Sequence, residues 1–234
     1  MRRESVERKT KETQISITLN LDGSGKSDIS TGIGFFDHML CAFAKHGSFD
    51  LDMKVTGDLE VDFHHTIEDC GIALGALFEK ALGDKGGIER FGNVAIPLDE
   101  ALSHVAIDIS GRPFLHFGLD FPRPEDGSGV NPWLFEEFFR GFVNNAKITL
   151  HIDKIRGDNS HHILESTFKA FARAMKKAVS ITRHKCAICG RTELDDENLE
   201  FRFCSKCEGN YEYCMEHLYT HEHVKKVVEF RTRD

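Results

Sequence analysis

The pattern His-His-x-x-Glu occurs twice in this chain, as HHTIE from His64 and as HHILE from His161. Each copy begins a segment with helical periodicity, and each half of the chain shows strands, a helix, further strands and a last helix. The sequence therefore predicts an internal duplication of about 90 residues. We expect one large domain over residues 1–182, built from two similar halves at about 1–92 and 93–182.

Alternating apolar and polar residues predict strands in both halves. In the first half they lie in TQISITLNLDGSGKSDIST, as two strands joined near residues 22–25, and in FDLDMKVTGDLEVDFHH, where Gly57-Asp58 is a turn signal. In the second half they lie in ALSHVAIDISG, PFLHFGLDF and AKITLHIDKI. Helices are predicted over residues 34–45, 65–82, 133–144 and 160–178, and Asp158, Asn159 or Ser160 can cap the last of them.

Charge and hydropathy exclude several classes of partner. The formal net charge of -8 gives no electrostatic support to nucleic-acid binding. No stretch approaches the roughly 18 apolar residues of a membrane span, and the charged start MRRESVERKTKET lacks the apolar core of a signal peptide. We therefore expect a cytoplasmic protein with no nucleic-acid or membrane partner.

Five of the seven cysteines lie close together near the end of the chain, in a module that we place at residues 183–234. Each C-x2-C turn presents two thiolates to one tetrahedral ion, so this cluster predicts zinc rather than disulfides. About 45 residues bury too little surface to fold alone, and the metal is expected to support the fold. The candidate zinc ligands are Cys186, Cys189, Cys204, Cys207, Cys214, His217, His221 and His223.

These eight ligands form four successive pairs, which leaves two arrangements open. In a cross-brace the first and third pairs share one ion and the second and fourth pairs share the other, an order similar to the two-zinc B-box. Alternatively, the four cysteines of the two C-x2-C turns form a single zinc ribbon and the later histidines are free. The module thus takes one or two Zn2+ ions, and it could dock on the larger domain or bind a partner.

Helix geometry limits what each His-His-x-x-Glu copy can do. The first histidine and the glutamate are four positions apart and share a face, whereas the second histidine points about 100° away. One copy can therefore serve two ions on different sides, but it cannot enclose one ion alone. His38, in the earlier GFFDHML helix, could complete a site. Imidazole nitrogen with carboxylate oxygen suits manganese, iron or zinc.

Six ordered motifs, FFDHML, HHTIEDCGIALG, GIERFG, PLDEAL, DISGRPF and GDNSHHILESTFKAFARA, resemble imidazoleglycerol-phosphate dehydratase of histidine biosynthesis over about Arg3 to Met175. The resemblance implies an α+β fold of duplicated βββαα halves related to domain 2 of ribosomal protein S5. It also implies a homo-oligomeric shell of 24 subunits, with active sites between subunits that each hold two Mn2+ ions. The implied reaction, that of a hydro-lyase, converts a small phosphorylated imidazole, D-erythro-imidazoleglycerol phosphate, to imidazole acetol phosphate.

The same resemblance carries roles onto matching positions. Arg90 and Arg112 match ligands of the substrate phosphate, which the guanidinium fork suits. Glu12 matches a substrate-contacting acid, and we expect Glu12, His65 and Glu165 to be catalytic. The residues that match metal ligands are His38, His64, His65, Glu68, His161, His162 and Glu165.

The substrate's chemistry explains the need for metal, because no carbonyl acidifies the proton to be removed. An imidazole held between metals favours its imidazolate form, whose electrons can expel the C3 hydroxyl. Loss of the C2 proton then gives an enol that tautomerises to the ketone. Either Glu12 or a metal-bound water could take that proton.

Two departures from the family pattern affect the expected activity. Glu137 stands in FEEFF where the family often has a histidine ligand; we expect it to ligate manganese through oxygen, and the alternative is an exposed helix charge. After Ala178 no PSSKG-like phosphate loop occurs. Either Lys176, Lys177, Arg183 or His184 could substitute for it, or the module at residues 183–234 could replace it. The alternative function is accordingly a catalytically impaired or regulatory metal-binding protein on the dehydratase scaffold.

Overall fold

The computed structural model describes residues 2–123, 128–182, 184–193, 195–196, 198–208 and 211–225. The chain divides into two compact units, Met1–Ser180 and Ile181–Asp234. Among the described residues, no helix has both the length and the apolar content needed to cross a membrane.

The first unit consists of two halves with the same order of elements. The first half contains β1 (Arg3–Lys9), β2 (Thr13–Asn20), β3 (Ser27–Ser30), α1 (Gly34–Gly47), β4 (Asp50–Gly57) and α2 (His64–Leu82). The second half contains β5 (Phe91–Leu98), β6 (Ala101–Asp108), β7 (Phe114–Gly118), α3 (Leu134–Ala146), β8 (Thr149–Arg156) and α4 (Ser160–Ala178). The predicted α+β fold with a duplicated half is confirmed.

Each half forms one four-stranded sheet, and the two sheets share a topology. The strand orders are β1-β2-β4-β3 and β5-β6-β8-β7, with only the last pair of each sheet parallel. The strands predicted on either side of residues 22–25 exist, but they are not neighbours, since β3 pairs with β4. The turn predicted at Gly57-Asp58 ends β4 without starting another strand, because the Val61 N–H donates back to the Asp58 carbonyl at 2.8 Å.

The helices pair across the two halves. Helix α1 packs on α4, and α2 packs on α3. Phe171 of α4 shows how tightly the halves interlock: its ring centroid lies 5.1 Å from that of Phe43 in α1 and 5.1 Å from that of Phe142 in α3. All three rings are buried. Each helix that begins with a histidine pair is therefore positioned by a helix from the other half.

Glycines allow α2 to lie directly against α3. A Cβ added at Gly71 would lie 2.2 Å from the carbonyl oxygen of Phe138, and one at Gly75 would lie 2.4 Å from that of Phe142. Both gaps are far shorter than any real Cβ contact, so only glycine permits this approach. The backbone contact holds α2, and with it the first histidine pair, at a defined distance from α3.

We expect Gly71→Ala to destabilise the first unit by about 2–3 kcal/mol, because the added methyl must push a backbone carbonyl away. For a unit of this size the melting temperature should fall by about 4–12 °C in a thermal scan followed by circular dichroism. Gly34→Ala is the matched control, since nothing lies within 4 Å of the added Cβ. Equal melting temperatures for the two variants would contradict the packing argument.

The second unit contains β9 (Phe201–Phe203), β10 (Glu212–Cys214) and α5 (Met215–Leu218), and the two strands pair antiparallel. Among its described residues, four side chains are buried, namely Cys186, Cys207, Tyr213 and Cys214. Three of the four are cysteines, so this unit has almost no hydrocarbon core, and hydrophobic burial alone cannot stabilise it.

Candidate functional site

The N-terminus of α4 presents the second histidine pair. The Asn159 side chain is the cap, and its oxygen accepts the backbone N–H groups of His161 at 2.9 Å and His162 at 3.3 Å. At the start of α2 the corresponding bond runs from the His64 N–H to the Asp62 carboxylate, at 2.8 Å. Both histidine pairs therefore lie in the first turn of a helix, where the helix dipole disfavours protonated imidazole.

His38, His161 and Glu165 form a group of three potential metal ligands, with one donor atom from each lying within 4.8 Å of the others. His161 Nε2 lies 3.2 Å from Glu165 Oε2, and His38 Nε2 lies 3.6 Å from the same oxygen. His38 comes from α1 in the first half and the other two from α4 in the second. The sequence predicted that His38 could complete a site, and the structure groups it with the second His-His-x-x-Glu copy.

Lys169, one turn further along α4, was not among the predicted residues. Its ammonium lies 2.7 Å from Glu165 Oε1. Burial raises the pKa of Glu165, but the Lys169 ammonium and His38 outweigh this effect and leave the pKa below its usual value. The carboxylate is therefore ionised at neutral pH, which is the form that binds metal.

The second histidine of each pair donates a hydrogen bond to a carboxylate. His65 Nδ1 lies 2.9 Å from Asp58 Oδ2, and His162 Nδ1 lies 2.7 Å from Glu100 Oε2. A carboxylate only accepts, so Nδ1 carries the proton and Nε2 keeps its lone pair. The bond from His162 lowers the pKa of Glu100 to about 2, and the bond to Asp58 raises the pKa of His65.

The first copy is less complete within one chain. His64 Nε2 lies 3.6 Å from Glu68 Oε2, but no third ligand joins them among the residues that the structure describes. The Glu137 carboxylate instead lies 3.4 Å from Arg140 Nε.

Glu137 nevertheless occupies the position in α3 that His38 occupies in α1. His38 precedes Ser48 by the same ten positions as Glu137 precedes Lys147, and both Ser48 and Lys147 end their helices with left-handed backbones, at φ 57° and 53°. Since α3 packs on α2 as α1 packs on α4, Glu137 is related to the first copy as His38 is to the second.

The two predicted phosphate ligands meet at one carboxylate. Arg90 Nε lies 2.7 Å from Asp108 Oδ1, and Arg112 Nη2 lies 3.9 Å from Asp108 Oδ2. Both guanidinium groups are exposed, Arg112 at 74% and Arg90 at 47%. The fold therefore gathers two cations on the surface, where an anion can reach them.

Glu12 lies in the turn between β1 and β2 and is exposed. Its backbone carbonyl accepts the Asp58 N–H at 3.0 Å. Its carboxylate has no hydrogen bond or ion pair to any described residue, but after Asp58 its charge contributes to the raised pKa of His65. The Glu12 carboxylate is thus close to the first histidine pair and uncommitted.

The potential phosphate ligands after the second histidine pair belong to both units: Lys176 and Lys177 to the first, Arg183 and His184 to the second. Lys176 Nζ donates to the Ser48 hydroxyl at 2.7 Å, and Lys177 is exposed. His184 Nδ1 lies 2.9 Å from Glu212 Oε1, and Arg183 lies outside the described residues. A substitute for the PSSKG-like loop stays a prediction.

The second unit gathers its eight candidate ligands into two groups of four. One group is Cys186, Cys189, Cys214 and His217, and the other is Cys204, Cys207, His221 and His223. These are the first with the third pair and the second with the fourth, as in a cross-brace. The fold therefore separates the two C-x2-C turns that a single four-cysteine ribbon would bring together.

Thiol ionisation in both groups favours metal binding. Burial alone would raise the pKa of Cys186, but backbone N–H groups, those of Cys189 and Cys214 foremost, bring it to about 6. Burial likewise opposes ionisation of Cys207, and the Tyr213 hydroxyl, 3.5 Å from Sγ, helps to bring its pKa to about 6. Ionisation of these two thiols is thereby favoured, whereas burial foremost raises the pKa of Cys214. The thiolate is the metal ligand.

Comparisons with known proteins find similarity to one enzyme family. The family model described as imidazoleglycerol-phosphate dehydratase matches residues 31–175. Proteins of that name from Acidithiobacillus ferrooxidans and Gluconacetobacter diazotrophicus are 55% and 58% identical to this chain, covering 76% and 74% of it and 89% and 87% of their own lengths. A crystal structure of imidazoleglycerol-phosphate dehydratase from Staphylococcus aureus is 40% identical, with a TM-score of 0.70, over 77% of this chain and 99% of its own. A second, from Pyrococcus furiosus, is 36% identical with a TM-score of 0.67, over 76% and 94%.

Proposed function

The chain belongs to the imidazoleglycerol-phosphate dehydratase family, and on that premise we propose how its own residues carry out the reaction. The enzyme is a hydro-lyase of histidine biosynthesis that converts D-erythro-imidazoleglycerol phosphate to imidazole acetol phosphate. The observation that carries the active-site assignment is the meeting of His38 from α1 with His161 and Glu165 from α4. A cytoplasmic location is part of the proposal, in keeping with a biosynthetic role.

The two His-His-x-x-Glu copies hold two Mn2+ ions per active site in this proposal. The donors fit, because neutral imidazole nitrogens and an ionised carboxylate are ligands that manganese accepts. A bound divalent ion supplies Lewis acidity and a template for the substrate. The proposed ligands are His38, His64, His65, Glu68, Glu137, His161, His162 and Glu165.

The incomplete first copy supports the proposal that active sites lie between subunits. His64 and Glu68 are about two-fifths exposed and have no third ligand among the described residues of their own chain. Donors from a neighbouring chain would complete the set. We therefore include the homo-oligomer, a shell of 24 subunits in the family, in the proposal; its size in solution can be measured by light scattering.

The protein's own groups have distinct tasks in the dehydration. Arg90 and Arg112 bind the substrate phosphate, and Asp108 holds the two guanidinium groups together. The C3 hydroxyl takes up one proton and leaves as water, and the uncommitted Glu12 carboxylate accepts the proton from C2, so that no net proton is gained or lost. The resulting enol tautomerises to the ketone, so the reaction needs no oxidant and no further reactant.

The direct test is an assay of the purified full-length protein with Mn2+ and imidazoleglycerol phosphate. We expect formation of imidazole acetol phosphate and about two manganese ions per chain. Absence of product at every manganese loading, from an assembled protein, would instead support a regulatory protein on the dehydratase scaffold. Metal analysis of a chain ending at residue 182 should show zinc lost and manganese retained.

We propose in addition that the second unit binds two structural Zn2+ ions. The support is the cross-brace grouping, with three thiolates and one imidazole in one group and two of each in the other. Closed four-ligand sets of this kind are typical of structural rather than catalytic zinc. One zinc ion per chain, held by the four cysteines of the C-x2-C turns, would contradict the cross-brace.

Glu137→His tests whether Glu137 is a ligand. Changes even in outer-shell partners shift metal affinity 10–100-fold, so exchange of a ligand should shift the Mn2+ dissociation constant by at least about tenfold. Titration calorimetry on the assembled protein measures this constant. The control is Glu136→Gln, which removes the neighbouring charge that already pairs with Arg140. An affinity equal to that of the unmodified protein would identify Glu137 as an ordinary helix charge.

A further inference from the structure

The carboxylates that hold the second histidines come from different places in the two halves. Asp58, which holds His65, directly follows β4. Glu100, which holds His162, lies in the turn between β5 and β6. In a duplicated fold the same contact would be expected from equivalent positions, so this difference needs a physical explanation.

Strand register identifies the first-half equivalent of Glu100. Lys9 pairs with Gln14 across the β1–β2 turn, and Pro97 pairs with Leu102 across the β5–β6 turn. Glu12 precedes Gln14 by two positions, as Glu100 precedes Leu102. The equivalent of Glu100 is therefore Glu12, the uncommitted carboxylate.

The second-half equivalent of Asp58 is Asp158. Gln14 pairs with Thr56 in the first half as Leu102 pairs with Arg156 in the second, where a β-bulge accommodates one extra residue of β8. Counting on from these pairs, Gly157 corresponds to Gly57 and Asp158 to Asp58. The Asp158 carboxylate has another partner, since its Oδ2 lies 3.0 Å from Arg123 Nη2.

Glu100 makes this contact in the second half, and both oxygens of its carboxylate accept a hydrogen bond. Its carboxylate accepts His162 Nδ1–H at 2.7 Å and the backbone N–H of Asn159 at 3.1 Å. In the first half Asp58 makes the contact, and the backbone bond from Asp58 N–H to the Glu12 carbonyl keeps the two residues together.

We propose that Asp58 and Glu100 are positioning residues that hold His65 and His162 through Nδ1, and that Asp58 thereby leaves Glu12 free to act on the substrate. The proposal rests on the proposed function, in which both histidines bind metal through Nε2. Outer carboxylates of this kind orient a ligating imidazole and raise its basicity. Because the halves differ in this way, one glutamate, Glu100, positions a metal ligand, and its equivalent, Glu12, acts on the substrate.

A double-mutant cycle between Asp58 and Glu12 tests whether Asp58 keeps the Glu12 carboxylate away from His65. In the unmodified background, Glu12→Gln should change the Mn2+ dissociation constant less than about twofold while lowering kcat. With Asp58→Ala in place, the Glu12 carboxylate can turn onto His65, and Glu12→Gln should now weaken Mn2+ binding by a further factor of about 10. Equal effects of Glu12→Gln on Mn2+ affinity in both backgrounds would overturn the proposal.

Further variants separate positioning from folding. Glu100→Ala removes the partner of His162 Nδ1, and the neighbouring Asp99 faces the other ring nitrogen, with Oδ2 3.8 Å from Nε2. The substitution should therefore weaken Mn2+ binding about 10–100-fold. The isosteric Asp58→Asn serves if Asp58→Ala does not assemble, and it should also weaken binding. The matched control Asp52→Asn, an exposed aspartate on β4, should leave the affinity unchanged. If the unmodified protein binds no Mn2+, the proposed function fails; if it binds Mn2+ and turns over but Glu100→Ala binds equally well, only the positioning role fails.

Discussion

Glu165→Gln is expected to lower kcat by about 10³-fold or more and to reduce the bound manganese. Glu165 supplies the only carboxylate of the group that it forms with His38 and His161. Glutamine keeps the shape but not the charge, and its amide turns a donor toward the imidazoles. Metal electrostatics contribute several kcal/mol to the stabilisation of a transition state, and about 4 kcal/mol corresponds to 10³ in rate.

Steady-state kinetics at saturating Mn2+ measure the rate, and elemental analysis measures the metal. Glu60→Gln is the control, because Glu60 is exposed in the loop between β4 and α2. Unchanged kcat and unchanged manganese content in Glu165→Gln would remove Glu165 from the active site. A loss of both with intact assembly is the expected result.

Cys214→Ala is expected to unfold the second unit while leaving the first intact. Cys214 is fully buried and belongs to the group with three cysteines and one histidine. Structural zinc contributes about 10–16 kcal/mol in small domains, which exceeds what a unit with four buried side chains among its described residues can replace. We expect at least one zinc ion lost per chain and rapid proteolysis confined to residues after 180.

Elemental analysis and limited proteolysis measure these two outcomes. Lys206→Ala is the matched control, since Lys206 is exposed between Cys204 and Cys207 and is not a ligand. Retention of the zinc and of protease resistance in Cys214→Ala would contradict the structural role. Dehydratase activity should survive the substitution, because the proposed manganese ligands, both phosphate-binding arginines and Glu12 lie in the first unit.

Short-range patterns explain which elements could be predicted. Helix α4 has the predicted bounds, because its apolar period and the Asn159 cap are both local signals. Strand β1 was not predicted, since five of the seven residues of RESVERK are charged and only one, Val6, is apolar. Such a sequence suits an edge strand, which β1 is, but the stabilising partner is β2 and not its own pattern. Strand β5 occupies the corresponding edge and was missed likewise.

The site residues also divide into those that sequence spacing predicts and those that only the tertiary structure brings together. The pairs His64–Glu68 and His161–Glu165 follow from spacing, and Lys169 could have been found by the same rule, since it lies four positions after Glu165. Glu100 could not, because 62 positions separate it from His162. In the second unit the sequence left the cross-brace and the ribbon open, and the fold forms the cross-brace groups.

The sequence by itself determined the duplication, the helical turn that carries each histidine pair, and the cysteine spacing, because each depends on contacts within a few residues. The tertiary structure alone decided that His38 meets the second copy and that Asp58 and Glu100 hold the second histidines. These contacts depend on how buried aromatic faces pack helices of opposite halves together and on the pairing of Asp158 with Arg123. Such packing is a property of the whole hydrophobic core, which no local pattern encodes.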